Sequence, residues 1–100
     1  MEKISRQDFL QFVRSQEGQI LRTLKRNKAF TVRVTKTGVE YTPQSTMKAR
    51  PHQTKFMERV LDKFSETGSF RTTDYQQFTV CSSYMLTLIA AYIAQKGAAS

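Results

Sequence analysis

From Phe78 to Ala94 the chain reads FTVCSSYMLTLIAAYIA, seventeen residues without a charge. No other segment is apolar around so much of a helical circumference, so any core this chain builds must involve it. At a helical period Tyr84, Leu88 and Ala91 fall on one line, and Met85, Leu86, Ile89 and Ile93 on a second. Ser82, Ser83, Thr87, Ala90 and Ala94 are left as a small or polar strip. Such a helix is either central to the fold or shared between two subunits. As a membrane span it is short, and four Ser/Thr with a cysteine make it wet. A reading without a membrane is preferred.

Charge constrains the partner, through its position more than its total. The net charge is +8, and all of the excess lies between Arg22 and Lys55, where nine basic residues face Glu40 alone. Outside that segment acids and bases balance. A concentrated basic surplus points to an anionic partner rather than to solubility. A length of 100 residues implies one domain with room for a core. Cys81 is the only cysteine, which excludes an intrachain disulfide framework. The start, EKISRQDFL, is charged and helix-patterned rather than signal-like, so a reducing, cytoplasmic location is expected.

In chain order, Ser5 fits a helix N-cap with Asp8 in the capping-box position, and Phe9, Phe12 and Val13 mark an apolar face. Ile20, Leu21 and Leu24 resume that spacing after Gly18. This predicts a helical unit from about Arg6 to Lys25, broken or bent near Gly18. Phe30 to Thr35 and Val39 to Thr42 alternate at period two around Thr37-Gly38, a β-hairpin. Its core face would carry Phe30, Val32, Val34, Val39 and Tyr41, with Arg33 and Glu40 paired across the strands. Pro43 to Arg50 reads as a loop. Pro51 suits the first turn of an amphipathic helix with Phe56, Val60, Leu61 and Phe64 buried, and Gly68 stops it. Thr73 with Gln76 suggests a capped short helix from Asp74 to Phe78. A second helix follows from Ser82, and both 1–4 and 95–100 are expected to fray.

The candidate site follows from the charge. Phosphate binding needs several cations within one groove, assisted by hydroxyls and backbone amides. The residues that meet this are Arg22, Lys25, Arg26 and Lys28, then Lys36 at the hairpin tip, then Ser45, Thr46, Lys48 and Arg50 in the loop. Arg50 and His52 would flank the N-terminus of the Pro51 helix, where the dipole favours an anion. The segment from Thr73 to Ile89 is similar in spacing to a helix-turn-helix. Its second helix, however, presents only Ser82, Ser83, Thr87 and the distant Gln95, where base edges call for Arg, Lys, Asn or Gln. A kinked, capped core helix is the preferred reading. A hairpin between helices also resembles winged domains, in element order alone.

Catalysis finds little support. His52 and Cys81 are the only imidazole and thiol, with no third residue to orient the base, and one of each makes no transition-metal site. Glu58, Asp62, Lys63, Glu66 and Asp74 read as the wet face of a helix and the next cap. No cofactor is implied. The expected fold is α+β: an N-terminal helical unit, an antiparallel hairpin, an amphipathic helix and a long apolar C-terminal helix. The last of these could carry a homodimer through Ala90, Ala91 and Ala94. The expected function is a small non-enzymatic protein that grips nucleic acid, duplex DNA foremost, through its central basic region. The alternative is an interaction module that binds an acidic protein partner.

Overall fold

Alternation in the middle of the chain builds the sheet on which everything else rests. The computed structural model describes residues 4–76 and 82–99. Strands β2 (Ala29–Val34) and β3 (Gly38–Pro43) form the expected hairpin, with Val32 opposite Tyr41 and Arg33 opposite Glu40. Phe30, Val32, Val39 and Tyr41 are buried on one face, and Val34 is half-buried. On the other face the Arg33 guanidinium meets Glu40 Oε1 at 3.0 Å. Two further strands extend the pair. β1 (Leu21–Arg22) and β4 (Arg50–Gln53) complete a four-stranded antiparallel sheet in the order β1-β2-β3-β4.

Both additions correct the sequence reading. The N-terminal helix α1 (Arg6–Ser15) stops well before Lys25, because Gly18 adopts a left-handed φ of 83° and reverses the chain. Leu21 and Arg22 then pair with Phe30 and Ala29. The spacing of Ile20, Leu21 and Leu24 imitated a helix, but only Leu21 packs against the core. Ser5 is the N-cap, although its side chain makes no capping bond.

The proline misled in the same way. Pro51 lies in β4 opposite Glu40, not in a helix. Val34 N–H bonds away from β3, to Glu17 Oε2 at 3.1 Å. Alternation then turns the polar groups of Arg33 and Glu40 toward each other and leaves Pro51 directing its missing N–H to the open edge. A proline is tolerated there. Helix α2 (Thr54–Thr67) begins three residues later, where Thr54 N and Oγ1 both donate to Thr37 O at 2.8 and 2.9 Å. Its buried stripe is Met57, Val60, Leu61 and Phe64. Phe56 is half-exposed instead, with Lys55 Nζ 5.1 Å from its ring centre. Gly68 closes the helix with φ 65° and an N–H bond to Phe64 O at 2.7 Å.

A 3-10 turn (Thr72–Tyr75) precedes helix α3 (Ser82–Ala99). Met85, Leu86, Leu88, Ile89 and Tyr92 of α3 are buried. Tyr84 stacks on Tyr41 (centroids 5.3 Å apart) and meets Phe30 edge-on, while Tyr92 sits edge-on between Phe9 and Phe12 of α1. The three helices and the sheet thus share one core. The helix differs from the long apolar element expected. Ile93 to Lys96 are exposed, and the buried Thr87 takes a place assigned to the polar strip. Thr87 Oγ1 accepts Leu24 N–H at 3.2 Å and donates to Ser83 O at 2.9 Å. No helix among the described residues is long and apolar enough to cross a membrane.

Candidate functional site

Antiparallel pairing sorts the turns of the sheet to its two ends. The chain passes from β1 to β2 at the end marked by Arg22 opposite Ala29, through residues 23–28. It passes from β3 to β4 at that same end, because Pro43 lies opposite Phe30 and Arg50 opposite Tyr41. The two turns are neighbours, joined by Gln44 N–H to Ala29 O at 3.0 Å. Arg22, Lys25, Arg26, Lys28, Ser45, Thr46, Lys48 and Arg50 all belong to this end, and all are exposed. Residues far apart in sequence are brought to one rim.

Lys36 is not among them. It sits in the β2–β3 turn at the opposite end, a six-residue strand away, or about 20 Å at the usual rise. The expected helix N-terminus does not join the rim either, since α2 starts beside Thr37 at the far end. The acids follow Lys36. Glu17 bonds Val34 N–H, and Glu40 holds Arg33, both toward the far end of β2. A hollow of about 350 Å³ on the sheet's outer face is lined by these groups with Gly18, Thr31 and Thr42. Its charges are mixed and partly paired, so it offers no concentrated field.

The basic rim is firmly built. In the first turn Thr23 N–H donates to Lys28 O and Lys28 N–H to Thr23 Oγ1, each at 3.0 Å. Asn27 takes a left-handed φ of 54°, which asparagine tolerates, and its carbonyl accepts from the Arg22 guanidinium at 3.3 Å. In the second turn Met47 N–H donates to Pro43 O at 2.8 Å and Lys48 N–H to Thr46 Oγ1 at 3.3 Å. The lysine and arginine heads therefore project from ordered backbone. Two residues that the sequence did not single out share the rim. Leu24 is 55% exposed and Met47 65% exposed. Leu24 was hidden by its apparent helical spacing; Met47 was visible as a lone apolar residue in a polar loop.

His52 is no part of this surface. It is 3% exposed on the inner face of β4, with Nδ1 3.2 Å from the Tyr41 hydroxyl oxygen and Nε2 lacking a hydrogen-bond partner among the described residues. Burial lowers its pKa from 6.5 to about 4, so it is neutral near pH 7. The sequence set His52 beside Arg50 at a helix N-terminus open to an anion; it lies instead in β4 with its ring buried. Cys81, the chain's one thiol, lies outside the described residues, as does the turn of the helix-turn-helix reading. The first half of that reading is a 3-10 turn, and Ser82 and Thr87 of the second are buried rather than presented. Among the described residues no group of His, Cys, Asp and Glu could hold a metal ion.

Fold and site together define a small α+β protein, helices on one face of a four-stranded sheet, with a cationic rim at one sheet end. No protein-family model matches the chain, and no curated protein or solved structure is significantly similar to it.

Proposed function

We propose that the protein binds nucleic acid, duplex DNA foremost, by gripping backbone phosphates with the rim formed by Arg22, Lys25, Arg26, Lys28, Ser45, Thr46, Lys48 and Arg50. One observation carries this reading: six cations and two hydroxyls from two separate stretches of sequence converge on adjacent, hydrogen-bonded turns. Neither turn contains an acid. Arg22 and Arg50 lie on opposite edge strands, three strand spacings apart, or about 14 Å. That width suits contact with more than one phosphate. Side chains that reach only phosphates give affinity without much sequence discrimination. The function is non-enzymatic, and assembly through α3 is a separate proposal that this grip does not require.

The test is binding to a random-sequence duplex of about 30 base pairs across a salt series. Binding should weaken steeply as salt rises. The double substitution Lys48→Ala, Arg50→Ala should weaken it at every sequence and reduce the log–log salt slope by up to about 2, as two phosphate contacts are lost. An unchanged slope would remove these residues from the site. Absence of duplex binding at low salt, with stoichiometric capture of an acidic protein, would replace nucleic acid by a protein partner.

A further inference from the structure

The basic rim has an apolar component that a phosphate grip does not explain. Leu24 and Met47 stand exposed on its two turns, one on each, flanked by Lys25 and Arg26 and by Lys48. Met47 is doubly unfavourable. Its backbone holds a left-handed φ of 55°, a conformation that disfavours a side chain beyond Cα, and its side chain lies in water. Glycine or asparagine would be the ordinary occupant. Both tips are fixed: Leu24 N–H is held by Thr87 Oγ1 of α3, and Met47 N–H by Pro43 O.

We infer that Leu24 and Met47 are wedges that enter the base stack of the duplex whose phosphates the rim grips. This rests on the phosphate-gripping reading and deepens it. Leucine and methionine are side chains that proteins insert between base steps, unstacking them and bending the duplex by about 20–90°. A wedge needs one apolar side chain per step carried on ordered backbone, with cations beside it to hold the strands as they part. Both turns supply that combination. An anionic membrane would also attract the cations. Two aliphatic tips without an exposed aromatic on either turn, however, provide little apolar area to hold a protein in a bilayer. The charge is matched by either partner; two small apolar tips on hydrogen-bonded backbone fit a base step.

The experiment compares the wild-type protein with a double variant, Leu24→Ser with Met47→Gly. Glycine at 47 suits the left-handed backbone, so the turn is kept while the wedge is removed. A duplex of about 18 base pairs, labelled at its ends and carrying 2-aminopurine at central steps, reports bending and unstacking together. Circular dichroism confirms that the variant folds. The wild type should raise energy transfer and 2-aminopurine fluorescence. The variant should bind within about threefold of it, with the same salt slope, and leave the duplex straight. Wild-type binding without bending, or equal bending by the variant, overturns the wedge while the phosphate grip stands. Failure to bind any duplex, with binding to phosphatidylserine vesicles that the variant loses, overturns both.

Discussion

The two ends of the sheet are made of similar residue types in opposite settings. At the far end, the β2–β3 turn is packed into the fold: Thr54 donates twice to Thr37 O, and Gly38 lies so close to β4 that a Cβ would stand 2.0 Å from His52 O. At the rim end the turns are closed mainly by local hydrogen bonds, with one tie from Leu24 N–H to Thr87 Oγ1 of α3, and their charged side chains face water. A lysine at each end looks alike in sequence. Lys36 tops a turn packed against β4 and α2, whereas Lys25, Lys28 and Lys48 belong to turns whose charged side chains are exposed together. Charge counts alone cannot separate these settings; strand direction does.

Breaking the packed end should have the largest effect. Gly38→Ala forces a methyl group into the backbone of His52, Gln53 and Thr54, none of which can yield like a flexible side chain. A loss of about 3 kcal/mol or more is expected in urea unfolding. Retention of wild-type stability would mean that β4 is not seated on β3 as described.

His52, opposite Val39 near that end, should give nearly as large an effect through pH. Its folded pKa, about 4, lies below the usual 6.5, because burial disfavours the charged ring. Between those values the unfolded chain binds more protons, so stability is greatest above pH 6.5 and falls as the pH drops toward 4. The loss reaches about 3 kcal/mol. His52→Leu should flatten the stability profile across that window, while a wild-type profile already flat there would contradict the buried, neutral ring.

The contrast between the ends is sharpened by charge. Lys36→Ala should leave duplex affinity and salt slope unchanged within about twofold, while Lys48→Ala with Arg50→Ala lowers both. An equal loss from Lys36 would mean that the bound surface spans the whole sheet. Of the two glycines, the smaller effect is expected at Gly18. It too has a positive φ, 83°, but nothing lies within 4 Å of its missing Cβ. Gly18→Ala should therefore cost only the conformational strain of about 1 kcal/mol, read as a shift in the urea midpoint. A cost matching that of Gly38 would show that the reversal into β1 is as tightly packed as the β3–β4 contact.

The hairpin was legible because alternation from Phe30 to Val34 and from Val39 to Tyr41 is strict, and the Arg33–Glu40 pair followed from its register. The stripe of α2 was legible from Val60, Leu61 and Phe64, but the choice of Met57 over Phe56 depended on where the helix starts. β1 and β4 were not legible. Two residues at Leu21–Arg22 carry no periodicity, and Pro51 signals a helix start as readily as an edge strand. For the candidate site, the cations were legible as a list and their grouping was not.

By itself the sequence determined that a charge-free segment would feed one core, that a hairpin would occupy the middle, and that excess positive charge would lie between Arg22 and Lys55. These are local properties, set by side-chain periodicity and by counting. Tertiary structure alone decided that β1 and β4 extend the hairpin, that His52 is buried, and that Lys36 stands apart from the rim. It also decided that Leu24 and Met47 are exposed beside the cations. The reason is physical: strand pairing joins residues distant along the chain, and the direction of each strand decides which turns become neighbours.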